Sequence, residues 1–329
     1  MYKDSKIYVA GHTGLLGTAL MKRLADDGYG NVITRPHSEL DLTDKNSVSD
    51  FFLTEKPEYV FLAAGKVGGI VSNNREPAEY LHTNLAIQDN VFEAAQEHKA
   101  RHLIFYGSSC CYPKVCRQPM KEEYLLTGLP EETSEGYAAA KIAGIIGCRA
   151  YNRQYDTNRF IALVPCSMYG PNDNFDAENS HVLSALIRRF HEAKINNAQS
   201  VTLWGSGKPR REFIFSEDAT AASVFAMENA DCLANSHYNA GTGADYSIKE
   251  LAAITAGIVG FEGEILWDRS RPDGAPVKML DSSKFLSFGW KPAISIEEGL
   301  QRTYQWYQEQ SLARTLHRAE ASGAGQAAR

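Results

Sequence analysis

The sequence lacks several features that would assign it to a class at once. Its six cysteines are too few for a disulfide framework in a chain of 329 residues. No two of them form a Cys-x-x-Cys pair, and no spacing of His and Cys is typical of a metal site. We therefore expect neither structural disulfides nor a bound metal.

The sequence also lacks a net positive charge and long apolar runs. Its formal net charge is -6, which disfavours nucleic acid as a partner. No apolar run reaches the ~18 residues that span a bilayer, so no membrane partner is expected. The polar residues before the first apolar run carry no signal-peptide core, which favours a cytoplasmic location. A hydrophobic content of 43% and a charged content of 22% are typical of a globular protein.

A glycine turn follows the first apolar run, residues 7–10, and precedes a helical apolar pattern. Strand, glycine turn and helix in this order form a dinucleotide-binding unit, because glycines let the backbone approach a pyrophosphate at the helix N-terminus. The spacing is G-x-x-G-x-x-G, whereas many dehydrogenases have G-x-G-x-x-G. We expect the cofactor to contact the residues of this turn, which are Gly11, His12, Thr13, Gly14, Leu15, Leu16 and Gly17.

A basic residue follows the second predicted strand, residues 32–34. In a dinucleotide-binding sheet the end of this strand faces the adenosine ribose, and an acidic residue there favours NAD. Here Arg35 occupies the position, and Asp41 comes only later. A guanidinium favours the 2′-phosphate of NADP, although Arg35 as an exposed loop residue stays an alternative.

Apolar runs at residues 59–64, 102–106 and 160–164 predict three further strands, which alternate with helical patterns. This alternation predicts an α/β fold with a doubly wound parallel Rossmann sheet. Beyond it the pattern becomes irregular, which indicates a second, smaller α/β domain interleaved with the first. We expect an NADP-binding domain at residues 1–165, a substrate domain at 166–316 and a flexible tail at 317–329.

Tyr137 and Lys141 flank three alanines in a predicted helix, so both lie on one helix face. An ammonium near a phenol lowers the pKa of the phenol, and the pair can then exchange a proton with a carbonyl or alcohol oxygen while a hydride moves. The run at 102–106 ends in Gly107-Ser108-Ser109-Cys110, at the sheet edge where ligands bind. Ser108, Ser109 and Cys110 are therefore candidates for substrate contact.

Together these motifs resemble the extended short-chain dehydrogenase/reductase superfamily and, within it, the GDP-L-fucose synthase family. Further matching stretches lie at residues 66–70, 119–128, 169–175, 179–182 and 210–213. The resemblance covers the chain from near residue 7 to near residue 308. It implies a homodimer that uses NADPH to epimerise a GDP-4-keto-6-deoxy sugar at C3 and C5 and to reduce it at C4.

The resemblance also implies roles for individual residues. Ser108, Tyr137 and Lys141 match the catalytic triad, while Cys110 and His181 match the base and the acid of epimerisation. The cofactor contacts that it adds are Arg35, Asp41, Leu42, Ala63, Ala64, Lys141, Pro165, Ser167 and His181. The GDP-sugar contacts that it adds are Arg189, Trp204 and Arg211.

Some positions depart from the family pattern. Gly136 stands where a proline is usual, Thr13 stands where some members have arginine, and Cys166-Ser167-Met168 replaces a Thr-Asn-Leu run. Gly136 and the Cys166-Ser167-Met168 run leave the exact keto sugar open, and Thr13 weakens the case for NADP over NAD. The alternatives are a related GDP-keto-sugar epimerase/reductase such as a colitose synthase, a nucleotide-sugar 4-epimerase, and a catalytically silent NADP sensor.

Overall fold

The computed structural model describes residues 1–177, 179–271 and 273–326, with side chains as far as residue 313. The strands are β1 Ile7–Ala10, β2 Val32–Ile33, β3 Tyr59–Leu62, β4 His102–Tyr106, β5 Phe160–Pro165, β6 Ser167–Tyr169, β7 Ser200–Trp204, β8 Arg210–Phe215, β9 His237–Ala240, β10 Asp245–Ser247, β11 Glu264–Asp268 and β12 Val277–Lys278. The α-helices are α1 Leu15–Asp26, α2 Lys45–Glu55, α3 Ile70–Arg75, α4 Pro77–Glu97, α5 Glu135–Gln154, α6 Val182–Ile195, α7 Ser216–Glu228, α8 Ile248–Val259, α9 Ser283–Leu286 and α10 Ile296–Gln326.

A parallel sheet of six strands in the order β2-β1-β3-β4-β5-β9 forms the centre of the molecule. Strands β1, β3 and β5 are buried along their whole length, which explains why they appear in the sequence as continuous apolar runs. Helix α4 packs between α2 and α5, while α1 packs on α7. The predicted doubly wound Rossmann fold is confirmed.

Smaller sheets form the second part of the molecule. Strand β8 pairs with β6, β10 and β12, and β7 pairs with β11 in parallel. A second hydrophobic core lies here, with Phe190, Leu251 and Leu300 at its centre. Residues late in the chain, such as Phe285 and Trp290, join the first core instead. The chain therefore crosses between the two parts several times, and the domain boundary at residue 166 stays a prediction.

Helix α10 ends the described chain and continues to Gln326. The expected flexible tail, residues 317–329, begins inside this helix, and its last three residues lie outside the described residues. The flexibility of this segment therefore stays a prediction. Among the described residues, every helix is too short or too polar to cross a membrane.

A buried polar cluster links the loop after β4 to strand β9. Tyr112 donates its hydroxyl to Asn239 Oδ1 at 2.5 Å and lies 3.2 Å from His237 Nε2. Burial lowers the pKa of His237 to about 4, with smaller contributions from the cations Arg149 and Lys284. This imidazole is therefore neutral in the folded protein at pH 7.

Candidate active site

The glycine turn brings the end of β1, the start of α1 and the end of β3 together. Gly11 has a φ of 79°, and a Cβ atom there would lie 2.6 Å from the backbone nitrogen of Ala64. A Cβ atom at Gly17 would collide with the carbonyl oxygen of Gly11. Ala63 and Ala64 follow β3 directly, so they share this edge of the sheet with the turn. These residues therefore lie close together at this edge of the sheet, and their contact with the cofactor stays a prediction.

The N-terminus of α1 is open to an anion. Gly14 is its N-cap and supplies no side-chain cap, and the first turn carries no acidic residue. The first N–H groups of the helix therefore point outward with the positive end of the helix dipole. His12 Nδ1 is buried and has no hydrogen-bond partner among the described residues. Together these groups fit the pyrophosphate of a dinucleotide.

Arg35 follows β2, as expected for a residue near an adenosine ribose. However, its Nη2 atom donates to Glu55 Oε1 at 2.6 Å, and the guanidinium lies 5.5 Å from the centre of the Phe51 ring. The sequence analysis missed Glu55, which would compete with a phosphate for this guanidinium. Asp41 accepts hydrogen bonds from the backbone and hydroxyl of Thr43, and these bonds lower its pKa. Leu42 is buried nearby.

Lys141 is buried near the same edge of the sheet. Its Nζ atom donates to the carbonyl oxygen of Tyr106 at 3.0 Å, and burial lowers its pKa to about 8. Gly65 comes so close that a Cβ atom there would lie 3.8 Å from this Nζ. Pro165 ends β5 and Ser167 begins β6, at the carboxyl edge of the neighbouring strands. Lys141, Gly65 and Pro165 therefore lie near the carboxyl ends of β4, β3 and β5.

Tyr137 lies one helical turn before Lys141, and Nζ is 5.8 Å from the centre of its ring. Burial raises the pKa of Tyr137 well above its usual value, the thiols of Cys110 and Cys111 raise it further, and a hydrogen bond with Ser108 lowers it in part. The net shift is opposite in sign to our prediction, which was therefore wrong. The reason is that burial dominates this pKa, while the Lys141 ammonium donates to the Tyr106 carbonyl and is not among the groups that lower it.

Ser108 joins the Tyr137 phenol to the turn that carries the proposed base. Its hydroxyl faces the phenol and lowers the pKa of that phenol in part, and it accepts from the backbone N–H of Cys110 at 3.2 Å. Gly136 allows this arrangement, since a Cβ atom there would lie 2.5 Å from the carbonyl oxygen of Pro77. The start of α5 therefore sits directly against the start of α4.

The two adjacent thiols have different environments. Lys278 Nζ donates to Cys110 Sγ at 3.5 Å. Burial alone would raise the pKa of Cys110, but the Lys278 ammonium and the hydroxyls of Ser108 and Ser134 outweigh it, so the pKa lies below its ordinary value. Cys111 is 2% exposed, and burial raises its pKa to about 12. Cys110 is therefore the more acidic thiol.

Neither Lys278 nor Ser134 was predicted from the sequence. Lys278 lies 168 positions from Cys110, and no local sequence pattern predicts a contact at that separation.

His181 precedes α6 as its exposed N-cap. It faces Asp173, whose pKa is raised by burial and lowered in part by a hydrogen bond from Ser184 and by His181. Gly69 packs against this loop, since a Cβ atom there would lie 3.4 Å from the carbonyl oxygen of Asn179. In the described part of the chain no contact joins His181 to Cys110, so their pairing stays a prediction.

The three expected substrate residues lie in the second part of the molecule. Trp204 is 59% exposed, with Arg189 Cζ at 5.6 Å and Arg271 Cζ at 5.3 Å from its ring. Arg211 donates to the carbonyl oxygen of Ala275 at 2.7 Å. An exposed indole between two guanidiniums suits a flat ring that carries phosphates. The sequence analysis missed Arg271.

Comparisons with known proteins agree with this geometry. The sequence model of the NAD dependent epimerase/dehydratase family matches residues 7–241. The chain is 52% identical to "Putative GDP-L-fucose synthase 2" of Arabidopsis thaliana over 93% of either chain. It is 47% identical to the GDP-L-fucose synthase of Escherichia coli K12, over 92% of this chain and 97% of that one. A solved GDP-mannoheptose C4 reductase from Campylobacter jejuni with NADP bound is similar with a TM-score of 0.86 and 40% identity, covering 94% of this chain and 99% of that one.

Proposed function

Because the chain belongs to the NAD dependent epimerase/dehydratase family, we propose that it is a bifunctional enzyme that converts GDP-4-keto-6-deoxy-D-mannose to GDP-L-fucose. It is an epimerase at C3 and C5 and an NADPH-dependent reductase at C4. The observation that carries this proposal is the contact of Cys110 Sγ with Lys278 Nζ at 3.5 Å, on the same turn in which Ser108 accepts from the Cys110 N–H and faces the Tyr137 phenol. The same site thus holds a base that can remove a carbon-bound proton and a group that can donate a proton to an oxygen. The names of the similar proteins support the same substrate.

The cofactor is NADP(H), and the residues present fit it. The glycine turn and the N-terminus of α1 would hold the pyrophosphate, and Arg35 would meet the 2′-phosphate. Lys141 is placed beside Gly65 on the path to Tyr137 and would hold the nicotinamide ribose. When bound, NADPH supplies the hydride that reduces C4.

Epimerisation uses the acidity that the 4-keto group gives to the hydrogens on C3 and C5. Cys110 removes one of these protons, and the electron pair moves onto O4 as an enolate. Ser108 and Tyr137 donate hydrogen bonds to that oxygen, which stabilises the developing charge. His181 returns a proton from the opposite face, which inverts the carbon.

Reduction uses Tyr137 as the acid. Its raised pKa keeps the phenol protonated at neutral pH, so it can protonate O4 as the alkoxide forms. The GDP part of the substrate binds across Trp204, Arg189 and Arg211, where two guanidiniums can pair with the diphosphate.

The experiment that tests the proposal follows NADPH oxidation with GDP-4-keto-6-deoxymannose and determines the product by NMR. GDP-L-fucose formed with one NADPH per product supports it. A D-configured 6-deoxy sugar would show reduction without epimerisation. Turnover without NADPH consumption would indicate a 4-epimerase, and cofactor binding without turnover would indicate a silent sensor.

We also propose a homodimer through α4 and α5. The groove between these helices is lined by Leu85, Phe92, Ala143, Gly147 and Tyr151. Ile146 is 38% exposed beside it, whereas the preceding residue, Ile145, is fully buried in the core. Light scattering at micromolar concentration should give a dimer mass. Ile146→Lys should lower that mass, while Leu53→Lys, at an exposed leucine of α2, should not.

A further inference from the structure

Strand β12 is short, yet hydrogen bonds hold it on both sides. It pairs in parallel with β8, so that Lys278 lies opposite Arg211. After the strand, the Met279 N–H donates to Gln118 Oε1 at 3.0 Å. The Leu280 N–H donates to the buried carboxylate of Glu212 at 2.8 Å. The backbone of Lys278 is therefore fixed relative to both the substrate part and the loop after β4.

The Lys278 side chain reaches from β12 to the proposed base. Its Nζ atom lies 3.5 Å from Cys110 Sγ. Among the described residues no carboxylate lies within ion-pair distance of this ammonium. A half-buried ammonium usually pairs with an anion, and the anion that the described residues offer is the thiolate of Cys110.

We propose that Lys278 is the positioning residue that holds Cys110 as a thiolate and so makes it the base of epimerisation. The inference rests on the proposed function of Cys110. In each epimerisation the thiolate takes a proton from C3 or C5 and becomes a neutral thiol, while the electron pair moves to O4. The thiol then returns this proton to water.

Lys278 is the cation best placed for this role. The other titratable groups that face Cys110 are the Tyr137 phenol on α5 and the neighbouring thiol of Cys111, and both are neutral at pH 7. Lys141 and Lys278 both lower the pKa of Cys111, but only Lys278 is among the groups that lower the pKa of Cys110.

The test measures the ionisation of Cys110 without substrate. The whole protein is alkylated with iodoacetamide across a pH range, and modification of Cys110 is followed by mass spectrometry. Lys278→Met should raise the midpoint by about one pH unit or more and slow alkylation at pH 7 on the order of tenfold, because the ammonium that favours the thiolate is lost. Lys278→Arg should keep most of the wild-type reactivity.

Lys284→Met is the matched control, because Lys284 is a partly buried lysine of α9 whose Nζ atom donates to Ser236 Oγ at 2.7 Å. It should leave the midpoint unchanged. Lys278→Gln provides a second neutral variant if the Met variant does not fold. An unchanged midpoint in a folded neutral variant would overturn the inference.

A second measurement distinguishes this inference from the proposed function. The rate of C3 and C5 deuterium exchange should shift along the pH axis by the same amount as the alkylation midpoint. A shifted midpoint with an unshifted exchange profile would show that Lys278 ionises the thiol but that Cys110 is not the base. That outcome would overturn the assignment of Cys110 and the positioning role together.

Discussion

Replacing Cys110 with serine should separate the two reactions of the enzyme. Serine has nearly the same shape, but its hydroxyl forms almost no alkoxide at neutral pH. The hydrogen bond from residue 110 to Ser108 is made by the backbone N–H, so the substitution retains it. Tyr137 and Lys141 keep their places on α5. The change therefore removes the proposed base and leaves the proposed reducing groups intact.

The size of the effect follows from the role of the thiol. A free cysteine is already a few per cent thiolate at pH 7, and the surroundings of Cys110 lower its pKa further. A positioned general base contributes roughly 10²- to 10⁴-fold to a proton transfer. Exchange of the C3 and C5 hydrogens in Cys110→Ser should fall by that factor. Reduction of the unepimerised ketone should persist and give a D-configured 6-deoxy sugar.

The assay measures deuterium incorporation from deuterated water by mass spectrometry and NMR, with Cys111→Ser as the matched control. With a pKa of about 12, the Cys111 thiol is ionised in only about 10⁻⁵ of molecules at pH 7, so it cannot be the base. A serine hydroxyl in its buried position should cost about 1–3 kcal/mol of stability and leave exchange per folded molecule unchanged. Full exchange in Cys110→Ser, or its loss only in Cys111→Ser, would refute the assignment.

Other predictions concern the cofactor, the acid and the buried imidazole. Tyr137→Phe should lower turnover on the order of 10²-fold or more while NADPH still binds, and near wild-type turnover would show another proton donor. Arg35→Ala should raise the KM for NADPH but not for NADH. Glu55→Gln should lower the KM for NADPH, because it frees the Arg35 guanidinium. Equal changes in the KM values of both cofactors would contradict a contact between Arg35 and the 2′-phosphate. His237 has a pKa of about 4 in the folded state and about 6.5 in the unfolded state. Between these pH values the unfolded chain binds more protons than the folded protein. The free energy of unfolding should therefore fall by about 3 kcal/mol as the pH falls from 6.5 to 4. Urea titrations of wild type and His237→Gln should show this loss only in the wild type.

The sequence predicted the cofactor-binding half well because its signals are local. The glycine turn, the apolar strands and the pair of Tyr137 and Lys141 each lie within one short stretch. Strands that are buried on both faces appear in the sequence as continuous apolar runs, which are easy to recognise. The environment of the phenol was not predictable in the same way, because the pKa of Tyr137 depends on how deeply α5 is buried.

The partners that decide the chemistry come from distant parts of the chain. Lys278 lies far along the chain from Cys110, and the register of β12 on β8 decides whether they meet. The pairing of Arg35 with Glu55 depends likewise on how α2 packs beside β2. Spacing could not show that Ile145 faces the core and Ile146 the solvent, because both fit an apolar helix.

Strand β9 closes an edge of the large sheet that residues 1–165 cannot close by themselves. A protein truncated at residue 165 would leave β5 with unpaired backbone groups beside six residues that are buried in the intact fold. It would also lack α7, which packs on α1. Exposed apolar edges of this kind recruit other chains. A nonsense or frameshift mutation before residue 237 should therefore give a product that aggregates and does not fold as an independent cofactor-binding fragment. A designed fusion that ends at residue 165 should behave in the same way.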